Sequence, residues 1–261
     1  MALNEAFKEF SIEGKAALVI GAELPLGAAA AQTLAEAGAN VVIASQEPGT
    51  GDALKELAKK IGALGRKVEV KIQSAITRAD ISACMDLTVK QLGALDIAVN
   101  ALDVPFFAPA EATDDTAFEK VMDNNFKTVW MACQEAGRTM VQRGGGVIVN
   151  ITSIMAERGV PNGSLYVAAQ AAVLSMTRSL ALEWARKNVR VNAIEMGWVE
   201  DERSPAVKDE AFGQSLVKYL PEQRLLKPEE LGGALLYLVS PAAAYVTGQS
   251  IAIDGGLLCR V

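Results

Sequence analysis

Histidine is absent from this 261-residue chain. Its absence rules out a Ser-His-Asp triad and every imidazole-ligated metal site. Cysteine is scarce: Cys84, Cys133 and Cys259 stand far apart and form no metal or redox motif. They read as buried small apolar residues in a reducing compartment, and no metal ligand set is expected. There is no basic run, and the formal net charge is −6, so neither nucleic acid nor an anionic membrane is expected as a partner. Long uninterrupted apolar runs are also missing: Glu23, Gln32 and Glu36 break the most apolar stretches, and none reads as a membrane span. The opening MALNEAFKEF has neither the basic nor the apolar region of a secretory signal, so a cytoplasmic protein is expected. What remains is 51% hydrophobic and 21% charged, a compact soluble composition in a chain long enough for one large α/β core.

Short β-rich runs alternate with longer helical patterns from end to end. KAALVI (Lys15 to Ile20) reads as a buried strand, and LGAAAAQTLAEAG as a helix stopped by Gly38. NVVIAS, VEVKI, LDIAVN, GVIVNIT, VRVNAIE and SIAIDGG supply six further strands. Helical patterns lie between them, including one from about Asp115 to Gln142 and one from about Ser164 to Lys187. This alternation predicts a single α/β domain over residues 1–261: a Rossmann-type, doubly wound parallel seven-stranded sheet with helices on both faces. The one shift in composition, residues 199–223, is charged and loop-like. It follows the sixth strand, where ligands of such sheets bind, and reads as a substrate lid or as a solvated helical insert.

Several motifs occur in a fixed order. They are FSIEGKAALVIGA at the start, GGVIVNITSI, then YVAAQAAVLSMTRSLALEWARKNVRVNAI, and RLLKPEELGGALLYLVSPAAAYVTGQSIAIDGG at the end. Together they resemble the short-chain dehydrogenase/reductase family over nearly the whole chain. The resemblance implies an NAD(P)-linked carbonyl or alcohol oxidoreductase with NADP or NAD as cofactor, a small-molecule substrate, and a homo-oligomer, tetramer or dimer. It also implies the positions of the working residues. Tyr166 would exchange a proton with the substrate oxygen, Ser153 would hold that oxygen, and Asn125 would fix a water in the relay. Gln170 stands where the family has the lysine that binds the nicotinamide ribose and lowers the tyrosine pKa. Gly21, Gly27, Ser45 and Asn100 fall on cofactor-side positions.

The departures from the family pattern cluster on that side. The phosphate loop Thr-Gly-x-x-x-Gly-x-Gly appears as Ile20-Gly21-Ala22-Glu23-Leu24-Pro25-Leu26-Gly27. Pro25 suits the first turn of a helix but offers no N–H to a phosphate, and Glu23 competes with an anion for the helix N-terminus. With Pro25 between them, turn and packing needs alone account for Gly21 and Gly27. No Asp for an NAD ribose and no Arg for an NADP phosphate occurs in Ala44-Ser45-Gln46, although Ser45 and Gln46 offer neutral hydrogen bonds. Ala75 stands where the family has an adenine-side Asp. Asn100-Ala101-Leu102-Asp103 replaces Asn-Asn-Ala-Gly, and Met196-Gly197 replaces Pro-Gly. Gln170 can hydrogen-bond a ribose but supplies no positive field, so Tyr166 should stay mostly protonated near neutral pH and act poorly as a base. Glu195, after the sixth strand, is a candidate replacement base, or with Asp103 and Glu23 a charge with no role. Asn125 is either a relay residue or a structural bridge. Met155, Met196 and Trp198 line a substrate pocket or simply pack. Weak or lost cofactor binding is therefore expected. Three readings stay open: a divergent oxidoreductase, a non-redox enzyme using the Ser153–Tyr166 pair, and a catalytically silent partner subunit or scaffold.

Overall fold

A computed structural model describes residues 5–45, 47, 49–72 and 77–260. Seven parallel strands form one sheet in the order β3-β2-β1-β4-β5-β6-β7. They are β1 (Ala16–Ile20), β2 (Asn40–Ser45), β3 (Val68–Ile72), β4 (Ile97–Asn100), β5 (Gly146–Ser153), β6 (Val189–Met196) and β7 (Ser250–Ile253). The helices are α1 (Pro25–Glu36), α2 (Gly51–Ala63), α3 (Arg78–Leu92), α4 (Asp115–Met122), α5 (Thr128–Arg143), α6 (Ser164–Trp184), α7 (Pro205–Lys208), α8 (Glu210–Tyr219) and α9 (Gly232–Val239). The expected fold class is therefore observed.

The central strands are apolar on both sides because helices cover both faces. Every residue of β1 is buried. Val19 and Ala17 face α1, α2 and α9, while Leu18 and Ile20 face α3, α5 and α6. A smaller apolar cluster joins Ile154, Ala206, Leu216 and Leu220 beneath the segment after β6. That segment is more ordered than its charged, loop-like sequence indicates. Val199 bridges to Leu226, α7 and α8 follow, and the Asp209 carboxylate caps α8 at the Phe212 N–H.

Two other expectations are refined. The helix expected over Asp115–Gln142 is interrupted by a π-helical turn, Asp123–Lys127, between α4 and α5. Such turns insert a residue and re-aim side chains, and here the turn carries Asn125. The stretch Ser164–Lys187 does pass a length-and-hydropathy test for a membrane span. It contains α6, whose inner face is buried and which packs on β5 and β6. Cys84 and Cys133 are buried as expected, but Cys259 is exposed.

The chain leaves β1 toward β2 on one side and reaches β4 on the other. Beyond the carboxyl ends at that reversal lies the crevice in which doubly wound sheets bind ligands. Gly21, Ser45, Asp103, Ser153 and Gly197 all sit at or just after strand ends on this side.

Candidate active site

The turn between β1 and α1 is built by close backbone packing. Gly21 has φ +86°, and a Cβ there would stand 2.5 Å from the Ala101 carbonyl oxygen. A Cβ on Gly27 would stand 2.0 Å from the Gly21 carbonyl oxygen. The N–H groups of Gly21 and Ala22 both donate to the Ala44 carbonyl, at 3.0 and 3.1 Å. Pro25 occupies the first turn of α1, and the N-cap Leu24 provides no side-chain cap. Both glycines are thus required by the turn itself.

At the end of β2 the buried Ser45 hydroxyl accepts from the Glu47 N–H at 3.0 Å and pairs with the Thr50 hydroxyl at 2.6 Å. Gln46 and Ala75 lie outside the described residues. The Asn100 amide is turned into the core. It donates to Asn150 Oδ1 at 2.8 Å and to Cys133 Sγ at 3.3 Å, and Asn150 in turn donates to Thr177.

Ser153, Tyr166, Gln170 and Asn125 come together at the ends of β4 and β5. The 3.6-residue period of α6 places Tyr166 and Gln170 on one buried face. The Ser153 hydroxyl accepts from the Met155 N–H at 3.3 Å and lies close enough to the Tyr166 phenol to favour its ionised form. Asn125, fully buried, accepts from the Val104 N–H at 2.9 Å and donates to the carbonyls of Val104 (3.1 Å) and Val121 (3.0 Å). It therefore pins the segment after β4 to the helical layer, the bridging role considered for it. Gln170 donates to Asn125 Oδ1 at 3.3 Å and accepts from the Thr152 hydroxyl.

A fifth residue completes the cluster. Asp103 Oδ1 accepts the Tyr166 hydroxyl proton and also a hydrogen bond from Gln170 Nε2 at 3.1 Å. Asp103 is therefore no idle edge charge. Its sequence position after β4, where the resembling family has glycine, was the available clue. Burial, then the Asp103 charge and hydrogen bond, hold the Tyr166 phenol well above its ordinary pKa, against the opposing pull of the Ser153 hydroxyl. Burial likewise raises the Asp103 carboxyl. The Tyr166 hydrogen bond and the Arg203 charge work against that shift, and Asp201 adds to it.

Glu195 does not take the place of the missing lysine. It lies in β6 opposite Thr152 and is 3% exposed. Its carboxyl is raised chiefly by burial, against the pull of Ser250 and Arg178 and with Glu157 and Asp254 adding to it, and its Oε2 is buried without a hydrogen-bond partner. None of these groups acts on Tyr166. Met196 is core packing in β6, whereas Met155 and Trp198 line the cleft.

Two cavities meet at Phe107, Met155 and Trp198. The inner one, between Leu24 and Leu26 on one wall and Asp103, Ser153 and Tyr166 on the other, has a volume of about 50 Å³. Asp201 and Arg203 close it from the segment after β6. Arg203 Nε donates to both Asp201 oxygens, at 3.0 and 3.1 Å. Its guanidinium also feels Asp103 and Glu47, on opposite sides of the crevice. The outer cavity, about 510 Å³, is walled by Phe107, Met155, Trp198, Phe212 and Leu216. Phe107 stacks on Trp198 with ring centroids 6.3 Å apart and touches Tyr166 at 5.9 Å.

Comparison with known proteins agrees with this architecture. A family model described as enoyl-(acyl carrier protein) reductase matches residues 21–258. The 2-dehydro-3-deoxy-D-gluconate 5-dehydrogenase of Dickeya dadantii is 33% identical over 257 residues, covering 96% of this chain and 98% of that protein. The 3-oxoacyl-(acyl-carrier-protein) reductase of Thermotoga maritima is 32% identical over 251 residues, covering 95% and 99%. Among solved structures, a gluconate 5-dehydrogenase from Burkholderia cenocepacia in complex with NADP and tartrate superposes with a TM-score of 0.91 at 32% identity, covering 98% of this chain and 100% of that one. Sequence order, sheet topology and matched length agree: the chain belongs to the short-chain dehydrogenase/reductase family of oxidoreductases.

Proposed function

We propose that this chain keeps the family's scaffold and substrate cleft but binds NADP or NAD weakly or not at all, so that redox catalysis is impaired. The observation that carries this reading is the Asp103 carboxylate, hydrogen-bonded to both Tyr166 and Gln170. A carboxylate there adds bulk and negative charge where the family pattern leaves room beside the cofactor. It also holds the phenol protonated and removes its value as a base. The residues present do not fit a nicotinamide dinucleotide. The inner cavity of about 50 Å³ has room for a water molecule or two. The Ser45 hydroxyl is engaged by Glu47 and Thr50, and the Asn100 amide by Asn150 and Cys133. Pro25 removes a phosphate-facing N–H at the start of α1.

Titration of the purified protein with NADH and NADPH, by calorimetry or nicotinamide fluorescence, tests the reading. No binding at millimolar concentration is expected, and micromolar binding to either would overturn it.

Of the two non-redox alternatives, an enzyme using the Ser153–Tyr166 pair is favoured over a silent scaffold. The outer cavity of about 510 Å³ shares Phe107, Met155 and Trp198 with the inner cavity that the pair lines and is in the range of small-molecule sites. The protein works as a homo-oligomer, dimer or tetramer. Support comes from the exposed Trp130 and Leu182 on α5 and α6 and the apolar groove that Trp130 lines with Phe126, Ala172, Met176 and Leu180. Its free thiols suit the cytoplasm.

A further inference from the structure

Relative to the family pattern, the cleft has lost a positive charge at Gln170 and gained a negative one at Asp103. The two side chains touch at 3.1 Å. A neutral amide therefore fixes the carboxylate in place. An ammonium there would fix it too, but would pull its pKa down and weaken it as a base. The charged and titratable groups that face Asp103 are Tyr166 from α6 and Asp201 and Arg203 from the segment after β6. Burial outweighs Arg203 and keeps the carboxyl above its ordinary range, which suits proton abstraction.

Two donors share the inner cavity with this carboxylate: the Tyr166 phenol, bonded to it, and the Ser153 hydroxyl beside the phenol. Both stand where the family's substrate oxygen is held. The adjoining cavity is apolar and aromatic. Its charged groups are already engaged: the Asp209 carboxylate caps α8, and Arg158 donates to the Leu257 carbonyl at 3.0 Å and to the Tyr219 hydroxyl at 3.3 Å, which leaves Asn162 as the polar side chain at its rim. A polyol or sugar acid placed there would lose its hydrogen bonds to water without replacement. An apolar ring bearing one carbonyl would not.

Building on the non-redox reading above, we infer that the site moves a proton at the carbon beside the carbonyl of an apolar cyclic ketone, with Asp103 as base and Tyr166 and Ser153 as donors to the carbonyl oxygen. The ketone's ring occupies the outer cavity and only its carbonyl end passes Phe107, Met155 and Trp198 into the inner one; the Tyr166 hydroxyl then turns from Asp103 to the carbonyl oxygen, while Gln170 keeps the carboxylate aimed. Asp103 takes the α-proton. The C–H electron pair becomes the new C=C bond, and the carbonyl π pair moves to oxygen, where the two donors stabilise it. Return of the proton to the same carbon, after exchange with water, replaces it by a solvent proton. Return to the far end of a conjugated system moves the double bond. No electrons are gained or lost overall, and no co-reactant is consumed.

The probe is 2-tetralone in D₂O without any nucleotide, with loss of the α-proton signal followed by NMR. The wild-type protein is expected to exchange it faster than buffer. Asp103→Asn, nearly isosteric and still able to accept from Tyr166, should lower the rate about 100-fold or more. Gln170→Lys should shift the acid limb of the rate profile to lower pH, because the ammonium favours ionised Asp103. A purely structural role would give no such shift. Wild-type exchange no faster than buffer, or no faster than Asp103→Asn, overturns the inference. A parallel assay with NADPH and the same ketone separates the two failures. NADPH oxidation would overturn the non-redox reading itself, whereas absence of both exchange and oxidation would overturn only the proton-transfer step.

Discussion

Gln170 Nε2 donates to Asp103 Oδ1 across 3.1 Å, so the two residues that depart most from the family's chemistry are in direct contact. Each change accounts for the other. Lysine beside Asp103 would be neutralised in an ion pair, and glutamine beside glycine would lack the acceptor its amide now has. The pair reads as one altered site and not as two independent losses.

Gln170→Lys alone should therefore produce no NADPH-dependent reduction. The ammonium would pair with Asp103, and Pro25 and the closed inner cavity would be unchanged. Steady-state oxidation of NADPH with a panel of ketones checks this. Reduction restored by that single change would refute an account in which several positions exclude the cofactor.

Gly27→Ala should destabilise the fold by about 1–3 kcal/mol, the usual cost of overpacking. The added methyl would lie 2.0 Å from the Gly21 carbonyl oxygen. Urea unfolding without nucleotide measures it. A change within a few tenths would mean that the backbone gives way and that packing does not explain this glycine.

Glu195→Gln should stabilise the protein at neutral pH and lose that advantage in acid. Burial raises the folded-state pKa of Glu195 above its ordinary 4.5. The folded chain then holds this proton more tightly than the unfolded chain does. The stability it contributes is present below the unfolded pKa and is lost as pH rises through the folded one. Thermal melts of both proteins at neutral and mildly acid pH read the difference, at about 2–4 °C per kcal/mol for a chain of this size. Equal Tm differences at both pH values would count against a destabilising buried charge.

Trp130→Glu should break the assembly into smaller species. Trp130 is 37% exposed on α5 and borders the apolar groove on α6, and a carboxylate buried there without a partner is costly. Light scattering coupled to gel filtration gives the mass directly. An unchanged mass would place the interface elsewhere.

The strands and most helices were legible in the sequence because they repeat a pattern. VEVKI alternates apolar and charged residues, LDIAVN is short and mostly apolar, and Gly38, Gly93 and Gly144 mark helix ends with positive φ. The π-helical turn at Asp123–Lys127 was not legible. Its residues keep a helical periodicity, and only the hydrogen-bond register differs. At the site, Ser153, Tyr166, Gln170 and Asn125 were placed by motif order. The role of Asp103 was missed because it depends on a contact between residues 63 and 67 positions apart. The clue in the sequence was a charge gained and a charge lost in a single cleft. Glu195 misled because adjacency to a strand end says nothing about which side chains meet there.

The strand order also sets the sequence of events on the ribosome. β1 pairs with β2, and β2 with β3, early, but the other edge of β1 stays open until β4 emerges, some eighty residues later. Parallel pairings between distant segments form slowly, and open edges invite association with other chains. The nascent polypeptide thus displays AALVI as an unpaired, wholly apolar edge well before Asp103 or Tyr166 has been synthesised. A chaperone that holds this protein during translation would find its first binding segment in the strand that the finished molecule hides most completely.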